Sequence, residues 1–308
     1  MQNSLIYRIK SVLFPGGWCC AVRFNENDDT CILNNLDDEF TVLSNSKRYW
    51  CADPFFAKKD DKYYLFFEMY DRLKRKGLLG YREISKTSIG DLKVIYESDT
   101  HLSYPFIFEK DGAFFIIPES NKSGELFLLR CTDFPSQWKK ECVIAKENLA
   151  DTTVFSYNNV DYYISERVDG TNNFNRIDLF YEENGQFKEC LNNPVKLDAS
   201  TARCAGKIFK YDGSYIRPSQ DCGVAYGEKL NFNKIISISK ENYEEELITT
   251  ISPKEIKLDK KESYIGIHTY NRIDNIEVID LKTEQKFDLY NLVGILYKLF
   301  YKVKEMFK

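Results

Sequence analysis

The feature of this sequence that most constrains its fold is a pattern that recurs about every fifty residues. Each copy has a short strand that opens at a polar residue, then a turn, then a strand rich in Tyr and Phe. The anchoring aromatic residues Phe55, Phe106, Phe155 and Phe209 are 51, 49 and 54 residues apart. The copies are Ala52–Glu68, Ser103–Glu119, Asp151–Glu166 and Arg203–Asp221, with a weaker fifth at His268–Leu281. Repeats of this length with several short strands are typical of propeller blades.

A turn signal lies in the middle of each clear copy. The four pairs are Asp60-Asp61, Asp111-Gly112, Asn158-Asn159 and Asp212-Gly213. Such residues accept the positive φ angles that two-residue hairpin turns require. The sequence therefore predicts an all-β, five-bladed β-propeller with four-stranded blades over residues 1–288. A strand near residues 18–23 is predicted to complete the last blade and close the ring.

Composition agrees with this prediction and narrows the function. Aromatic residues make up 15% of the chain, and their side chains fit the pleated surface of strands. The net charge of −4 argues against nucleic acid as a partner, since phosphate binding favours a basic surface. Nine cysteines, an odd number without metal-ligand spacing, indicate reduced thiols. Because Met1–Lys10 lacks the apolar core of a secretion signal, we expect a cytoplasmic protein.

The C-terminal segment has helical instead of strand periodicity. From Leu289 onward apolar residues recur at helical spacing, and Lys298, Lys302, Lys304 and Lys308 make the segment basic. We predict an amphipathic α-helix over residues 289–308 that lies on the inner face of the cytoplasmic membrane. The alternative is a helix that packs on the propeller or on a partner.

Residues at the entrance of a propeller's central channel come from the first strand of every blade, and those of this chain differ in chemistry. We predict a carbohydrate site there, because carboxylates perform the acid and base steps of glycosyl chemistry and arginines bind phosphate leaving groups. The predicted catalytic residues are Asp53, Glu119, Asp151 and Asp221. The predicted substrate-binding residues are His101, Tyr104, Glu166, Arg203, Arg217, Gln220 and His268, with Tyr104 as a stacking platform for a sugar.

Each of these residues also has a structural interpretation. Asp53 precedes Pro54 and could cap a turn, the glutamates could be solvated strand ends, and the arginines could form ion pairs with them. Either histidine could be a packing residue held by hydrogen bonds. No motif indicates a cofactor or a His/Cys metal site, although carboxylates of the channel could hold a divalent cation.

The motifs ADPFF, FFE, SYPFIFE, IPES, DTTVF and RPSQDCGVAYG, in this order, resemble a bacterial and plant propeller family. The family is named after the N-terminal domain of glucosamine inositolphosphorylceramide transferase and is distantly similar to glycoside hydrolase family 43. The resemblance covers about Trp50 to Leu281. It implies that Asp53 is the general base, and that Asp151 stands near the place of the family 43 general acid, a glutamate. Where those hydrolases have a second acid, this chain has Ser103-Tyr104-Pro105.

Three functions follow as hypotheses. The first is a membrane-peripheral glycosyltransferase of bacterial surface-polysaccharide assembly that uses an activated sugar donor and a glycan or lipid-linked acceptor. In it Asp53 is the base, and Arg203 and Arg217 hold the donor phosphates. The second is an inverting glycoside hydrolase or phosphorylase, with Glu119 or Asp151 as the acid. The third is a glycan-binding module without catalytic activity.

Overall fold

The fold was analysed in a computed structural model that describes residues 16–168, 170, 175–284 and 289–306, without the side chains of residues 298, 299 and 301–306. Its strands form five sheets arranged as the blades of a β-propeller. The predicted all-β, five-bladed fold with a C-terminal helix is therefore confirmed. Met1–Lys10, Phe307 and Lys308 lie outside the described residues, as do the side chains of Lys298, Lys302 and Lys304.

The strands follow one another blade by blade along the chain. Two strands precede the first complete blade: β1 (Trp18–Phe24) and β2 (Thr41–Val42). Blade 1 holds β3 (Tyr49–Lys59), β4 (Lys62–Asp71), β5 (Lys76–Ile84) and β6 (Lys93–Tyr96). Blade 2 holds β7 (Ser103–Lys110), β8 (Ala113–Glu119), β9 (Leu126–Asp133) and β10 (Gln137–Ala145). Blade 3 holds β11 (Leu149–Tyr157), β12 (Val160–Arg167), β13 (Arg176–Glu183), β14 (Gln186–Glu189) and β15 (Lys196–Leu197).

The second half of the ring has the same organisation. Blade 4 holds β16 (Phe209–Tyr211), β17 (Ser214–Asp221), β18 (Lys229–Ile238) and β19 (Tyr243–Ile251). Blade 5 holds β20 (Tyr264–Gly266), β21 (Tyr270–Ile273) and β22 (Ile276–Thr283), and it is joined by β1 and β2. Short 3₁₀ turns occur at Asn121–Ser123 and Pro253–Glu255, and the C-terminal helix is α1 (Leu289–Met306).

The ring is closed by strands from the two ends of the described chain. β1 pairs antiparallel with β22 over seven residues, from Trp18 opposite Lys282 to Phe24 opposite Ile276. Arg23 of β1 and Glu277 of β22 form a buried ion pair at 2.6 Å, which fixes this pairing from within the blade. Because blade 5 is built from both halves of the sequence, it cannot form before the rest of the chain is in place.

The four turn pairs behave as their residue types require. All eight residues have positive φ, from 46° at Asp212 to 73° at Gly112, as expected for tight hairpins whose twist matches that of the strands. Two anchors, Phe155 and Phe209, are displaced from their predicted places, because each stands three residues before its turn pair whereas Phe55 and Phe106 stand five residues before theirs. Phe55 and Phe106 stand opposite Phe66 and Ile117, but the corresponding partner in blade 3, Ile164, stands opposite Thr153, two residues before Phe155.

The two ends of the ring can now be named. The hairpin end carries the four turn pairs. The mouth end is where the first strand of each blade begins and the second strand finishes, for example at Glu68 and Glu119. Apolar side chains that interlock between neighbouring blades fill the space between the ends, with Phe55, Leu79 and Ile116 among those completely buried.

Helix α1 packs at the mouth end of blade 1. Gly294 lies against the turn between β4 and β5, where a Cβ atom would come within 2.5 Å of the carbonyl oxygen of Arg72. Among the described residues, no helix combines the length and the apolar character needed to cross a membrane. All nine cysteines are described, and each is a free thiol.

Candidate functional site

Three blades place their mouth-end side chains by the same backbone device. In β3, β7 and β11 a β-bulge follows the first paired residues, and at each bulge one residue has positive φ: Asp53 at 50°, Tyr104 at 42° and Asp151 at 48°. Residues other than glycine rarely adopt this conformation, and it is concentrated at functional sites. A bulge changes the direction of its side chain, and here the side chain points towards the axis of the ring instead of out of the face of the blade.

The second strands bring three glutamates to the same end. Glu68, Glu119 and Glu166 stand opposite the residues just before the three bulges, and all three are buried. Contacts across the ring confirm that the groups meet on its axis. Tyr104 of blade 2 accepts a hydrogen bond at 2.7 Å from the backbone N–H of Gly206, which leads into blade 4.

Arg203 is the centre of the acidic cluster. Its Nε donates to Asp151 at 2.6 Å, and its two terminal nitrogens donate to Glu166 at 3.1 Å and Glu119 at 3.4 Å. The amide nitrogen of Gln220 donates to the same oxygen of Asp151 at 2.9 Å. One guanidinium thus pairs with three carboxyl groups from two blades.

A second group joins blades 1 and 5. His268 Nδ1 lies 2.6 Å from Asp280 Oδ2 and 3.7 Å from Asp53 Oδ1. Asp53 accepts hydrogen bonds from the hydroxyl of Thr269 at 3.0 Å and from the backbone N–H of Tyr104 at 3.2 Å. Asp53 therefore bridges three blades, and its carboxylate is held in one position.

Aromatic rings cover the histidine. Trp18 stacks on His268 with ring centroids 3.7 Å apart, and Tyr226 meets it edge-on at 5.5 Å. The guanidinium of Arg203 lies 5.4 Å from the centroid of the Tyr226 ring. Position 227 requires glycine, because its φ is 62° and a Cβ atom would lie 2.9 Å from the His268 Cβ. The Tyr226 residue as a whole is 37% exposed.

Burial and mutual repulsion keep protons on the cluster. Burial, assisted by neighbouring carboxylates, raises the pKa of Asp53 to about 6 and that of Glu166 to about 7, although His268 and Arg203 oppose these shifts. The same two causes raise the pKa of Glu68 and of Glu119 well above the usual range. At neutral pH the cluster therefore holds protonated carboxyl groups beside ionised ones.

The charge of His268 is governed by its two acidic neighbours. Burial disfavours the imidazolium, but the carboxylates of Asp280 and Asp53 outweigh burial and raise the pKa of His268. In contrast, burial, together with Lys122 and Lys76, lowers the pKa of His101 to about 4. His101 accepts a hydrogen bond on Nδ1 from Gly77 N–H, so its Nε2, 3.3 Å from Glu68, carries the proton.

Several predicted roles need correction. Arg217 is completely buried and forms a two-pronged ion pair with Glu245, through Nε at 2.7 Å and Nη2 at 2.6 Å. Nη2 also donates to the carbonyl of Thr201, and Nη1 donates to the carbonyl of Ala202. Its donors are occupied inside blade 4, and it cannot hold a donor phosphate. Arg203 is at the mouth and donates hydrogen bonds to three carboxyl groups, and the same role for it stays a prediction.

Tyr104 and Asp221 also differ from their predicted roles. The Tyr104 ring is fully buried edge-on to Phe55, and its hydroxyl is bonded to Thr153 at 2.8 Å, so it offers no face to a sugar. Asp221 accepts a hydrogen bond from the backbone N–H of Gly223 at 3.0 Å and thereby shapes the turn after β17. This hydrogen bond gives Asp221 a structural role in the turn instead of the predicted catalytic one.

Sequence reasoning missed Asp280, Thr269, Trp18 and Tyr226. A signal existed for Asp280, because it lies near the end of the second strand of its blade, as Glu68, Glu119 and Glu166 do in theirs. The weak fifth copy of the repeat hid this correspondence. Tyr226 lies in the RPSQDCGVAYG motif, but nothing in the motif shows that its ring faces Arg203.

One trio has the composition of a metal site. Ligand atoms of Asp53, His268 and Asp280 all lie within 4.8 Å of one another. However, Asp280 already accepts hydrogen bonds from the backbone N–H groups of Asp53, His268 and Thr269 and from the His268 ring. These bonds use the carboxylate oxygens that a cation would need, and they fit a hydrogen-bonded triad better than a metal centre.

Comparison with known proteins identifies relatives of this architecture. The family model described as glucosamine inositolphosphorylceramide transferase 1, N-terminal, matches residues 39–287. Glucosamine inositolphosphorylceramide transferase 1 of Arabidopsis thaliana is 35% identical over 202 residues, which are 63% of this chain and 26% of that protein. Its counterpart in Oryza sativa subsp. japonica is 32% identical over 202 residues, 63% of this chain and 27% of that protein. The chain thus spans about a quarter of the length of these relatives.

Solved structures share the fold at low sequence identity. A family 117 glycoside hydrolase of Zobellia galactanivorans superposes with a TM-score of 0.53 at 12% identity, covering 88% of this chain and 91% of the hydrolase. The catalytic domain of a GH62 α-L-arabinofuranosidase from Coprinopsis cinerea gives a TM-score of 0.52 at 10% identity and covers 84% of each chain. At such identities the likeness concerns the fold alone.

Proposed function

The chain belongs to the family of the N-terminal domain of glucosamine inositolphosphorylceramide transferase 1, and from this premise we propose that its mouth-end cluster is the active site of a carbohydrate-active enzyme that transfers a glycosyl group. One observation carries the proposal. Six carboxyl groups are buried at the mouth end, and Arg203 pairs with three of them: the six belong to Asp53, Glu68, Glu119, Asp151, Glu166 and Asp280, and the three paired ones to Glu119, Asp151 and Glu166. Buried carboxylates in such excess are costly, and enzymes retain them where protons are moved.

The cluster suits the recognition of a sugar. Ionised carboxylates accept hydrogen bonds from sugar hydroxyls, and Tyr226, a residue that is 37% exposed, lies beside them at the mouth. A pyrophosphate group would meet carboxyl groups there, since Arg203 already donates to Asp151, Glu119 and Glu166. The charge balance therefore favours a donor whose leaving group is protonated by an acid over one whose phosphates are held by arginines.

The proposed chemistry uses two carboxyl groups of opposite protonation state. Glu119, whose pKa is raised well above the usual range by burial and by Asp151, gives its proton to the departing glycosidic oxygen. Asp53, with a pKa of about 6, is mostly ionised at neutral pH and takes the proton of the attacking hydroxyl. One bond to the anomeric carbon breaks as the other forms, and one proton enters and one leaves.

Hydrolysis is the second candidate, because water could replace the acceptor hydroxyl in the same step. The acid-rich charge balance, which suits a neutral glycoside, favours it specifically. Glu119 and Asp53 would keep their roles. The acceptor thus decides between the two functions, and both depend on the same residues.

The finer features of the predicted enzyme belong to this proposal. They are a lipid-linked or glycan acceptor, assembly of a bacterial surface polysaccharide, and a location at the inner face of the cytoplasmic membrane. In place of the predicted activated sugar donor, the charge balance favours a glycoside donor. The relatives are named for transfer to inositolphosphorylceramide, and this supports a lipid-borne acceptor.

The test is an activity screen with matched carboxylate variants. Purified protein is incubated with aryl glycosides and with nucleotide sugars, with and without oligosaccharide acceptors, and released and transferred sugar are quantified. We expect Asp53→Asn and Glu119→Gln each to lose on the order of 100-fold or more in kcat. Asp274→Asn removes an exposed carboxylate paired with Lys58 and should retain full activity.

Each outcome has a defined meaning. A transferred product that requires the acceptor supports glycosyl transfer, and release of free sugar alone supports hydrolysis. Less than a twofold loss in Asp53→Asn would remove Asp53 from the mechanism. Binding of oligosaccharide without any turnover, unaffected by Asp53→Asn, would show that the propeller is a glycan-binding module.

A further inference from the structure

Helix α1 presents apolar side chains to the outside. Asn291 and Gly294 face the propeller and are buried, whereas Leu289, Val293 and Leu296 on the remaining face are about half exposed, with Leu296 at 59%. A helix whose function was only to cover blade 1 would turn these side chains inward. Large apolar residues that share one exposed helix face mark a surface that meets another apolar phase.

This helix lies at the same end of the molecule as the active site. It rests on the carbonyl oxygens of Arg72 and Leu73, in the turn that follows β4. Glu68 of the acidic cluster lies near the end of β4, three residues before the final residue of that strand, Asp71. The apolar face of α1 and the carboxylates are therefore both features of the mouth end of blade 1.

Other blades carry exposed apolar residues at the mouth end too. Val224, which is 90% exposed, lies in the turn that places Tyr226 and Gly227 against His268. Ile265, 48% exposed, precedes Gly266, which approaches the carbonyl oxygen of Gly227. Val224 and Ile265 are therefore exposed apolar side chains at the mouth end of blades 4 and 5, the same end of the ring that carries α1 on blade 1.

The charge next to α1 indicates the kind of surface that this end meets. The segment from Arg72 to Lys76, which runs from this turn into β5, contains four cationic residues, and the helix lies against its first two residues, Arg72 and Leu73. Two of the four, Lys74 and Lys76, also pair with Glu97, at 2.7 and 3.1 Å. The sequence of α1 adds Lys298, Lys302 and Lys304. Apolar residues surrounded by lysine and arginine fit an anionic lipid interface, where the apolar side chains enter the membrane and the cations meet the headgroups.

We infer that the mouth end of the propeller rests on an anionic lipid surface, so that the active site opens towards the membrane and takes a glycosyl substrate carried by a lipid. This inference rests on the proposed function, which already includes a lipid-borne acceptor, and adds the surface that meets the membrane and the direction from which the substrate approaches. A lipid-borne sugar needs to leave the bilayer by only a short distance to reach Arg203 and Asp53. A substrate dissolved in water would instead have to enter beneath the surface on which the enzyme sits.

The first test measures binding to vesicles. The full chain is sedimented with vesicles of phosphatidylglycerol and phosphatidylcholine, and with phosphatidylcholine alone. We expect binding to the anionic vesicles that weakens at high salt, and at least a tenfold loss in Val224→Glu and in Leu296→Glu. Ile89→Glu is the matched control, because Ile89 is 43% exposed and lies at the hairpin end of blade 1.

The second test separates this inference from the proposed function. The variants are assayed with a soluble glycoside and with the same sugar on a lipid in vesicles. We expect Val224→Glu to keep its activity on the soluble substrate and to lose most of it on the lipid-borne one. Equal activity on both, or binding unaffected by Val224→Glu and Leu296→Glu, would overturn the inference while leaving the proposed function intact.

A second copy of the chain is the competing occupant of this surface. Sedimentation velocity of the wild type and of Leu296→Glu decides between them. We expect a monomer in both cases. A dimer that Leu296→Glu converts to a monomer would contradict the membrane assignment and show that the apolar face of α1 is a subunit interface.

Discussion

Two buried arginines of blade 4 lie 14 positions apart and have opposite effects on their surroundings. Arg217 meets one carboxylate, Glu245, and Arg217 together with Lys196 outweighs burial and lowers the pKa of that group. Arg203 meets three carboxylates, and the pKa of Glu166 stays raised, at about 7, because burial and repulsion exceed what one cation compensates. The first pair is a closed structural contact, whereas the second cluster keeps protons that it can exchange.

The comparison shows that burial of a charge does not by itself reveal its purpose. Both arginines are among the buried residues, and both donate to carboxylates at 2.6 Å. What differs is the number of carboxyl groups for each cation, and therefore the direction in which the pKa of those carboxyl groups is shifted. In this molecule a raised carboxyl pKa marks the site, and a lowered one marks the scaffold.

The largest effect on stability is expected from the scaffold pair. Arg217→Ala leaves Glu245 buried with Lys196 and the Tyr243 hydroxyl beside it, and we expect the free energy of unfolding to fall by about 3–5 kcal/mol. Arg203→Ala should cost less, because Glu119 already holds a proton and Glu166 can take one up when the cation is removed. Urea unfolding of both variants measures the difference.

Arg130→Ala serves as the control for this comparison. Arg130 forms an exposed ion pair with Glu141 at 3.4 Å, and its loss should change the free energy of unfolding by no more than about 0.5 kcal/mol. If Arg203→Ala destabilised the protein as much as Arg217→Ala, the distinction between a closed pair and a proton-holding cluster would be wrong.

A change of pH is expected to have a smaller effect on the free energy of unfolding. Glu166 has a folded-state pKa of about 7, above its usual value, so its contribution to stability is complete below about pH 4.5 and is lost as pH rises through 7. Glu245 has a lowered pKa, and its contribution is present above about pH 4.5 and lost in acid. The two regions therefore change the free energy of unfolding in opposite directions.

The variant Glu166→Gln isolates one of these contributions. Between pH 5 and pH 8 we expect the wild type to lose on the order of 1–3 kcal/mol more of its unfolding free energy than Glu166→Gln does. Urea unfolding at the two pH values provides the measurement. Identical losses in the two proteins would show that Glu166 is ionised throughout this range.

The propeller could be predicted because its signals are local and repeated. Turn pairs such as Asp111-Gly112 fix hairpins by the φ angles that their residues accept, and recurrence every fifty residues shows that one unit is repeated. The convergence of Asp53, Asp151 and Arg203 followed from the same regularity. A residue that opens the first strand of a blade faces the axis, whichever blade it belongs to.

The sequence could not predict that the side chain of Arg217 points into blade 4 and not towards the axis of the ring. Both faces of a blade are covered by its neighbours, so alternation along β17 does not separate an inward from an outward side chain: five consecutive residues there are buried. The partner Glu245 is 28 positions away on β19. The predicted role of Tyr104 as a sugar platform was wrong for a related reason. Tyr104 occupies the position of a site residue, but its side chain is long enough for the hydroxyl to cross the axis and accept a hydrogen bond from Gly206.

The most direct test of the central claim is an infrared measurement of the carboxyl groups at neutral pH. The account predicts a band of protonated carboxyl groups in the wild type at pH 7, reduced in Glu119→Gln and unchanged in Asp274→Asn, whose carboxylate is exposed and paired with Lys58. A spectrum that shows only ionised carboxylates at pH 7 would contradict the account, because the cluster around Arg203 would then hold no proton to give to a departing sugar.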